Sequence, residues 1–262
     1  MTGHKEQIFQ FVKNYSEKLT LKDIACEFGG KKLSYREIKQ IIKDLINEGL
    51  VEYSYELGNS FISPSFNNYV QISDSIIVHP PELLPKEEKK GFFYIKIEKS
   101  TSFGRGNHPT TRLCLLAMEK ALQNKDLNKN GFFDLGCGTA ILAVAAAYFG
   151  FESCFAVDID PVALFDAKTN VKINGFESKI SVDSFWPQNT KFSIIAANLR
   201  PLTLVEFKND IKNRLEKKGY LVLSGFKSDE KNWLLKYFKE FFFVKDIWEE
   251  KGWCSALLQD NG

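Results

Sequence analysis

Two apolar residues, Phe132 and Phe133, lead into Asp-Leu-Gly-Cys-Gly at 134–138, and twenty positions past Gly138 the chain reads Val-Asp-Ile-Asp at 157–160. No other stretch restricts the fold as tightly. It reads as an apolar strand, a glycine turn, a helix and a second strand that ends in an acid. Gly136 and Gly138 permit backbone torsions and close approaches that a side chain blocks. A carboxylate at the end of the next strand, Asp158, is placed to take both hydroxyls of a ribose. The pattern therefore predicts a nucleoside-bearing cofactor at the carboxyl edge of a parallel sheet.

The details choose between cofactors. A dinucleotide fingerprint needs a third small residue three positions after its second glycine, and that position is Ile141. The alternative spacing, acid-x-Gly-x-Gly-x-Gly, belongs to S-adenosylmethionine (SAM) methyltransferases. Asp134, Gly136 and Gly138 fit it, with Ala140 standing where its last glycine would be. SAM carries no pyrophosphate, so this loop has no phosphate to cradle.

From residue 131 onward apolar runs alternate with helical periodicity. Strands are predicted at 132–135, 153–158, 179–182, 192–197, 220–224, 242–248 and 253–259. Helices are predicted at 139–149, 161–174, 202–216 and 230–240. Such alternation argues for an α/β fold, a parallel sheet with helices on both faces. Before it, Pro109 is well placed at the first position of a helix over 109–122. Residues 69–99 look strand-rich, with Pro80-Pro81 and the charged stretch 86–90 as turns.

Residues 1–66 form a separate unit. A helix is predicted over 5–18. Thr20-x-x-Asp23 and Ser34-x-x-Glu37 resemble capping boxes that open two more, closed by Gly29 and Gly49. Ile38, Ile41, Ile42, Leu45 and Ile46 recur at the spacing of a half-buried helix. Two β-rich runs then flank Gly58-Asn59, a hairpin signal. Three helices and a hairpin predict a small winged-helix-like α+β domain. It carries nine Lys/Arg and nine Asp/Glu. Phosphate contacts dominate nonspecific nucleic-acid affinity, so a zero balance argues against nucleic acid and for protein docking or homodimerisation. The expected division is 1–66, a strand-rich segment at 67–100, and a catalytic domain at 101–262.

Composition excludes several classes. The 262 residues are 44% hydrophobic and 26% charged, with net charge +2, as in a globular protein with no bulk attraction to anionic surfaces. The opening residues carry no apolar signal core, and no apolar run is long enough to span a bilayer. Five scattered cysteines without Cys-x-x-Cys, and three histidines without ligand spacing, predict neither a disulfide framework nor a metal site. A reducing cytoplasm fits this usage.

Phe-Gly-Arg-Gly-Asn-His-Pro-Thr-Thr (103–111), Asp-Leu-Gly-Cys-Gly-Thr-Ala-Ile-Leu-Ala (134–143), Val-Asp-Ile-Asp-Pro (157–161) and Ala-Ala-Asn-Leu-Arg-Pro-Leu (196–202) occur in this order. Together they resemble the PrmA-type methyltransferases, which trimethylate amino groups of a large-subunit ribosomal protein. The resemblance covers about 70–258. It implies the class I SAM-methyltransferase fold, a Rossmann-like seven-stranded sheet closed by an antiparallel pair. It also implies that Thr111 and Asn198 contact the cofactor, that Asn198 meets the acceptor amine, and that His108 lies by the cofactor loop with a catalytic part. Asp158 is the ribose ligand, and Gly136 and Gly138 admit the methionine part. Asp134 either orients the loop or holds the SAM ammonium through water. Asp183 either meets the adenine amine or is a turn acid, and Phe103 and Trp186 either wall the pocket or fill the core.

Two departures matter. The family's Phe-Gly-Thr-Gly is Phe-Gly-Arg-Gly here, and Leu199-Arg200-Pro201-Leu202 replaces its run after the asparagine. Both add a positive charge where an acceptor enters, which suggests an acceptor bearing a carboxylate. The amino-terminal unit is not the ferredoxin-like domain with which the family grips its ribosomal substrate. The expected function is therefore SAM-dependent N-methylation of a protein amine. Small-molecule methylation and a SAM-sensing winged-helix regulator are the alternatives.

Overall fold

The computed structural model describes residues 3–15, 19–30, 33–56, 59–65, 69–83, 90–99, 102–104 and 106–262. Arg105, Gly58 and most of the charged turn at 86–90 lie outside them. The chain divides into two units, Met1–Tyr69 and Val70–Gly262.

In the first unit α1 (Gly3–Asn14), α2 (Leu21–Phe28) and α3 (Tyr35–Asn47) precede a hairpin of β1 (Val51–Glu56) and β2 (Asn59–Pro64). Both capping boxes form. Thr20 and Ser34 accept from the backbone N–H of Asp23 and Glu37, whose carboxylates accept from the cap N–H groups in return. These hydrogen bonds hold both carboxyls below their ordinary pKa. Ile24, Ile38, Ile42 and Leu45 turn inward onto Ile8, Val12, Val51 and Ile62 in one apolar core. Leu19 bridges to Ile62, adding a one-residue strand to the hairpin.

The second unit opens with a three-stranded sheet of β3 (Val70–Gln71), β4 (Ile76–His79) and β5 (Phe93–Lys96). Asn174 and Asn170 accept from the N–H groups of Lys96 and Glu98 at 3.0 and 2.8 Å, which ties this sheet to the rest of the unit. Then come α4 (Pro109–Ala121), β6 (Gly131–Leu135), α5 (Ile141–Tyr148), β7 (Ser153–Val157), α6 (Pro161–Ile173), β8 (Ile180–Asp183) and β9 (Phe192–Asn198). The chain ends with α7 (Pro201–Glu206), α8 (Lys208–Arg214), β10 (Leu215–Lys227), α9 (Lys231–Phe238), β11 (Phe242–Glu250) and β12 (Trp253–Asp260).

Seven of these strands form one sheet in the order β11-β12-β10-β9-β6-β7-β8, and β12 alone runs antiparallel to its neighbours. The chain leaves β6 toward β7 and β8, then returns to the other side of β6 with β9. The strand order reverses there, and in such sheets ligands bind outside the carboxyl ends of the strands at that point. Phe133 and Phe192 stack at 5.0 Å and an interplanar angle of 20° under the reversal, with Phe155 at the edge of Phe192. All residues of β6 are buried, as expected of a strand covered on both faces.

One expected element differs. The helix predicted over 202–216 is two short ones, broken at Phe207 (φ −86°, ψ 2°), whose ring packs on Trp186 at 5.1 Å. The following strand starts at Leu215, earlier than the apolar run at Tyr220, because Leu215 pairs with Phe192 before a bulge that puts Lys218 at φ +61°.

Phe192→Ala removes a fully buried ring from the stack and is expected to cost about 3–5 kcal/mol. Urea unfolding of the second unit measures it, and Phe192→Leu should recover most of the loss.

Candidate functional site

The turn after β6 is built from backbone torsions that most side chains resist. Gly136, Gly138 and Ala140 have φ of +72°, +53° and +59°. Ala140 ends the turn as the residue preceding α5 and offers no side-chain cap. The cap comes from Asp134, buried in β6, whose Oδ2 accepts from the N–H of Ala143 in the first turn of α5 at 3.1 Å. Burial raises the pKa of this carboxyl well above the ordinary range. The hydrogen bond from Ala143 opposes the rise and the charge of Asp158 adds to it.

The glycines are bare because the protein itself fills the space beside them. A Cβ on Gly136 would stand 2.3 Å from Cδ2 of Leu199, and one on Gly138 would stand 2.3 Å from the carbonyl of Phe103. The Gly136 and Cys137 N–H groups both donate to Val157 O at 2.9 Å, which fastens the turn to the end of β7. Asp158 follows directly. Its Oδ2 accepts from the Gly138 N–H at 2.9 Å and its Oδ1 from the Asp160 N–H at 3.0 Å, so the carboxylate is aimed before any ligand arrives.

A cleft of 330 Å³ opens at these strand ends, lined by Gly136, Asp158, Ile159, Trp186, Leu199 and Phe207 among others. Its size and mixed apolar lining suit a nucleoside-sized ligand. Trp186, left open between wall and core by the sequence, serves as both. It lines the cleft, packs edge-on against Phe133 at 5.3 Å and carries the Arg214 guanidinium on its face at 4.8 Å. Asp183 is exposed. Its Oδ1 accepts from the N–H groups of Ser184 and Phe185 at 2.7 and 3.3 Å, and Ser184 rather than Asp183 lines the cleft.

A second cluster stands at the start of α4. His108 precedes the helix, and its Nδ1 accepts from the Thr110 N–H at 3.3 Å and lies 2.8 Å from Thr110 Oγ1. Asn198, at the end of β9, donates from Nδ2 to the same Thr110 Oγ1 at 3.1 Å. The three side chains form a directed chain: Asn198 donates to Thr110, and Thr110 donates to His108. With Nδ1 accepting, the proton of the neutral ring sits on Nε2. Phe103 and Trp253 flank the imidazole edge-on at 4.9 and 5.1 Å. Burial lowers the His108 pKa to about 4, helped by the positive charges of Lys227 and Lys251.

The sequence reading chose Thr111 and passed over Thr110, its neighbour. Thr111 is also buried, and its hydroxyl has no hydrogen-bond partner among the described residues. A buried, unpaired hydroxyl is costly unless something satisfies it, and a polar cofactor group would. With the oriented Asp158 carboxylate and the Trp186 ring lining a nucleoside-sized cleft, the residues present fit SAM.

A larger groove of 840 Å³ is lined by Arg200, Leu202, Lys227, Asp229, Trp233 and Trp253 among others. The Lys227 ammonium lies 4.0 Å from the Trp253 ring centroid. Thr203 lines both this groove and the smaller cleft. No sequence spacing joins these residues, because they come from four separate elements. Among the described residues no cluster of His, Cys, Asp or Glu could hold a metal.

The pH behaviour of His108 is a test of this geometry. In the unfolded chain its pKa is near 6.5, so between pH 6.5 and 4 the unfolded state binds the extra proton and the folded state does not. Its contribution to stability is therefore constant above pH 6.5 and falls as the pH drops toward 4. An NMR titration of the ring should give a midpoint near 4, and His108→Asn should remove that part of the acid sensitivity.

A model of the family "Ribosomal protein L11 methyltransferase (PrmA)" matches residues 64–261. The ribosomal protein L11 methyltransferase of Caldicellulosiruptor saccharolyticus is 31% identical over 257 residues, covering 96% of this chain and 77% of its own length. That of Vibrio parahaemolyticus is 34% identical over 172 residues, 64% of this chain and 56% of its own. The solved structure of the ribosomal protein L11 methylase from Lactobacillus delbrueckii subsp. bulgaricus shares the fold, with a TM-score of 0.67 at 22% identity over 74% of this chain and 99% of that one. With a sheet of this order, a cleft at its reversal point and a family match over most of its length, the chain belongs to the PrmA family of S-adenosylmethionine-dependent methyltransferases.

Proposed function

We propose that this methyltransferase transfers a methyl group to an amine of a protein acceptor. The observation that carries the reading is Asn198 at the end of β9, directly before Leu199 of the smaller cleft and Arg200 of the larger groove, with its amide nitrogen already engaged by Thr110. That engagement orients the side chain and leaves Oδ1 to accept a hydrogen bond from an incoming amine. The relatives' names point the same way, since each is named for ribosomal protein L11.

When bound, SAM supplies an activated methyl sulfonium. Asp158 would hold the ribose hydroxyls, Thr111 would complete its hydroxyl on a polar group of the cofactor, and Ile159 and Trp186 would wall the base. Asp134 acts at one remove, by holding α5 and hence the turn. Asp183 belongs to the neighbouring turn in this reading, with Ser184 facing the base. What remains for the protein is the acceptor. A free lysine has a pKa near 10.4, so fewer than about one in a thousand are neutral at pH 7. Trp233, Trp253 and Leu202 remove water from the amine's surroundings, which favours its neutral form, and Asn198 aligns the lone pair. His108 is neutral at pH 7 and its Nδ1 is engaged as an acceptor by Thr110, so it is a positioning residue that acts through Thr110, not the base.

The acceptor groove carries two cations, Arg200 and Lys227, beside Asp229 and Glu230. Glu230 is already spent on the N–H of Lys227 at 2.7 Å. Arg200 precedes α7 without capping it and forms no ion pair among the described residues. An acceptor segment with a carboxylate near the target amine fits this balance. Five free cysteines and the absence, among the described residues, of any helix long and apolar enough to cross a membrane support a cytoplasmic setting.

Labelled methyl transfer from SAM into a cell extract, fractionated into protein, RNA and small molecules, tests the reading. The label should enter a protein band and vanish with Asp158→Ala. Label among small molecules would replace the protein acceptor with a metabolite. Once the acceptor is in hand, Arg200→Ala should raise its KM about tenfold, equivalent to ~1.4 kcal/mol, and leave SAM affinity unchanged. An unchanged KM would remove the carboxylate from the acceptor.

A further inference from the structure

The zero charge sum of the first unit hides a segregation. Arg36, Lys39 and Lys43 lie at i, i+3 and i+7 of α3, the spacing of one helix face, and all three are exposed. They line a groove of 410 Å³ with Gln40, Ile46 and Tyr53. None of the three cations takes part in an ion pair among the described residues.

The acids of the same helix are occupied elsewhere. Glu37 closes the capping box with the N–H and hydroxyl of Ser34 at 2.8 and 2.7 Å. Glu48, just past the helix, is ion-paired with Lys5 of α1. Asp44 accepts from the side-chain amide of Gln40 at 2.8 Å. The exposed face of α3 thus presents three cations that share no ion pair among the described residues, with a polar amide and a half-exposed phenol beside them. Tyr35 and Tyr53, 57% and 40% exposed, add hydroxyl donors at its margin.

We infer that this face of α3 binds the phosphate backbone of duplex DNA. The row from Arg36 to Lys43 is about 10.5 Å long at 1.5 Å per residue, and the major groove of B-DNA is ≈ 12 Å wide and admits a helix. A third helix displayed after two others and followed by a hairpin is also the order in which helix-turn-helix relatives present theirs. Duplex RNA is disfavoured, because its deep, narrow major groove does not admit a helix. An acidic peptide would meet the same charges and could also pack on Tyr35, Tyr53 and the half-buried Ile46, so the test below separates it from DNA. The inference stands apart from the choice of acceptor, since no residue of the methyl-transfer site takes part.

The test uses the full chain and a fluorescein-labelled 20-base-pair DNA duplex of arbitrary sequence, with anisotropy followed from 50 to 200 mM NaCl. Three phosphate contacts at about 0.9 counterion each predict a log–log slope near −2.7, or roughly a fortyfold weakening across that range. The Arg36→Ala, Lys39→Ala, Lys43→Ala triple variant should lose at least tenfold in affinity at 50 mM and flatten the slope. The Arg36→Lys, Lys39→Arg, Lys43→Arg variant should keep both, which separates lost charge from a misfolded helix. No binding at 50 mM, or equal binding by the alanine variant, overturns the inference. So does tighter binding of an RNA duplex of the same sequence. An alanine variant that binds DNA normally yet raises the KM of the protein acceptor would also overturn it and make α3 a protein-docking face.

Discussion

The hydrogen bond from the Ala143 N–H to the buried carboxylate of Asp134 is the joint on which the catalytic unit turns. The first N–H groups of any helix lack partners within it, and α5 starts from Ala140, which has no side-chain acceptor and sits in the left-handed region. An L-residue there costs roughly 1–2 kcal/mol. Asp134 meets both needs from the strand below: it satisfies an orphan N–H and places a carboxyl at the positive end of the helix. Burial works against it and drives its pKa up. The arrangement holds because removing the carboxyl would leave a buried N–H with no acceptor, a cost of about 1–3 kcal/mol.

From that joint the rest of the site follows by packing. The turn held by α5 aims the Gly138 N–H at Asp158 and leaves a bare Gly136 for Leu199 to cover. Leu199 is fixed from the other side as well, because a Cβ on Gly225 would stand 2.3 Å from its carbonyl oxygen. The segment leaving β9 is therefore clamped between two glycines on neighbouring strands. Asn198 precedes it, Arg200 follows, and Thr203 faces both cavities. One short run of chain thus borders both the smaller cleft and the larger groove, and its position depends on contacts to the turn after β6 and to β10 alike.

The parts legible in the sequence are those governed by local rules. Thr20, Ser34 and Pro109 announce helix starts because capping and a fixed proline φ act within a few residues. The glycine turn and Asp158 are legible because strand, turn and helix are contiguous. Other features depend on residues far apart in the chain. Thr110 differs from Thr111 only in what it meets, namely Asn198, which is 88 positions away. That Leu199 packs against Gly136 and the Phe103 carbonyl against Gly138 is likewise invisible to spacing, because both partners lie far off in the chain. The break at Phe207 was hidden for the same reason: the helical pattern continues across it, and only Trp186, from another segment, makes the break favourable.

Charge illustrates the same limit on a longer scale. A net charge counts every group equally, whereas at physiological salt a group is felt over about 8 Å. Glu37, Asp44 and Glu48 cancel Arg36, Lys39 and Lys43 in a sum over the unit. Their hydrogen bonds to Ser34, Gln40 and Lys5, however, direct the carboxylates to partners other than those three cations. A ligand on α3 therefore meets three exposed cations free of ion pairs among the described residues, although the unit is neutral in sum. In the larger groove Glu230 is likewise turned inward onto a backbone N–H while Arg200 forms no ion pair among the described residues. In both places the hydrogen bonds made by the acids, more than the number of acids, set the charge that a partner encounters.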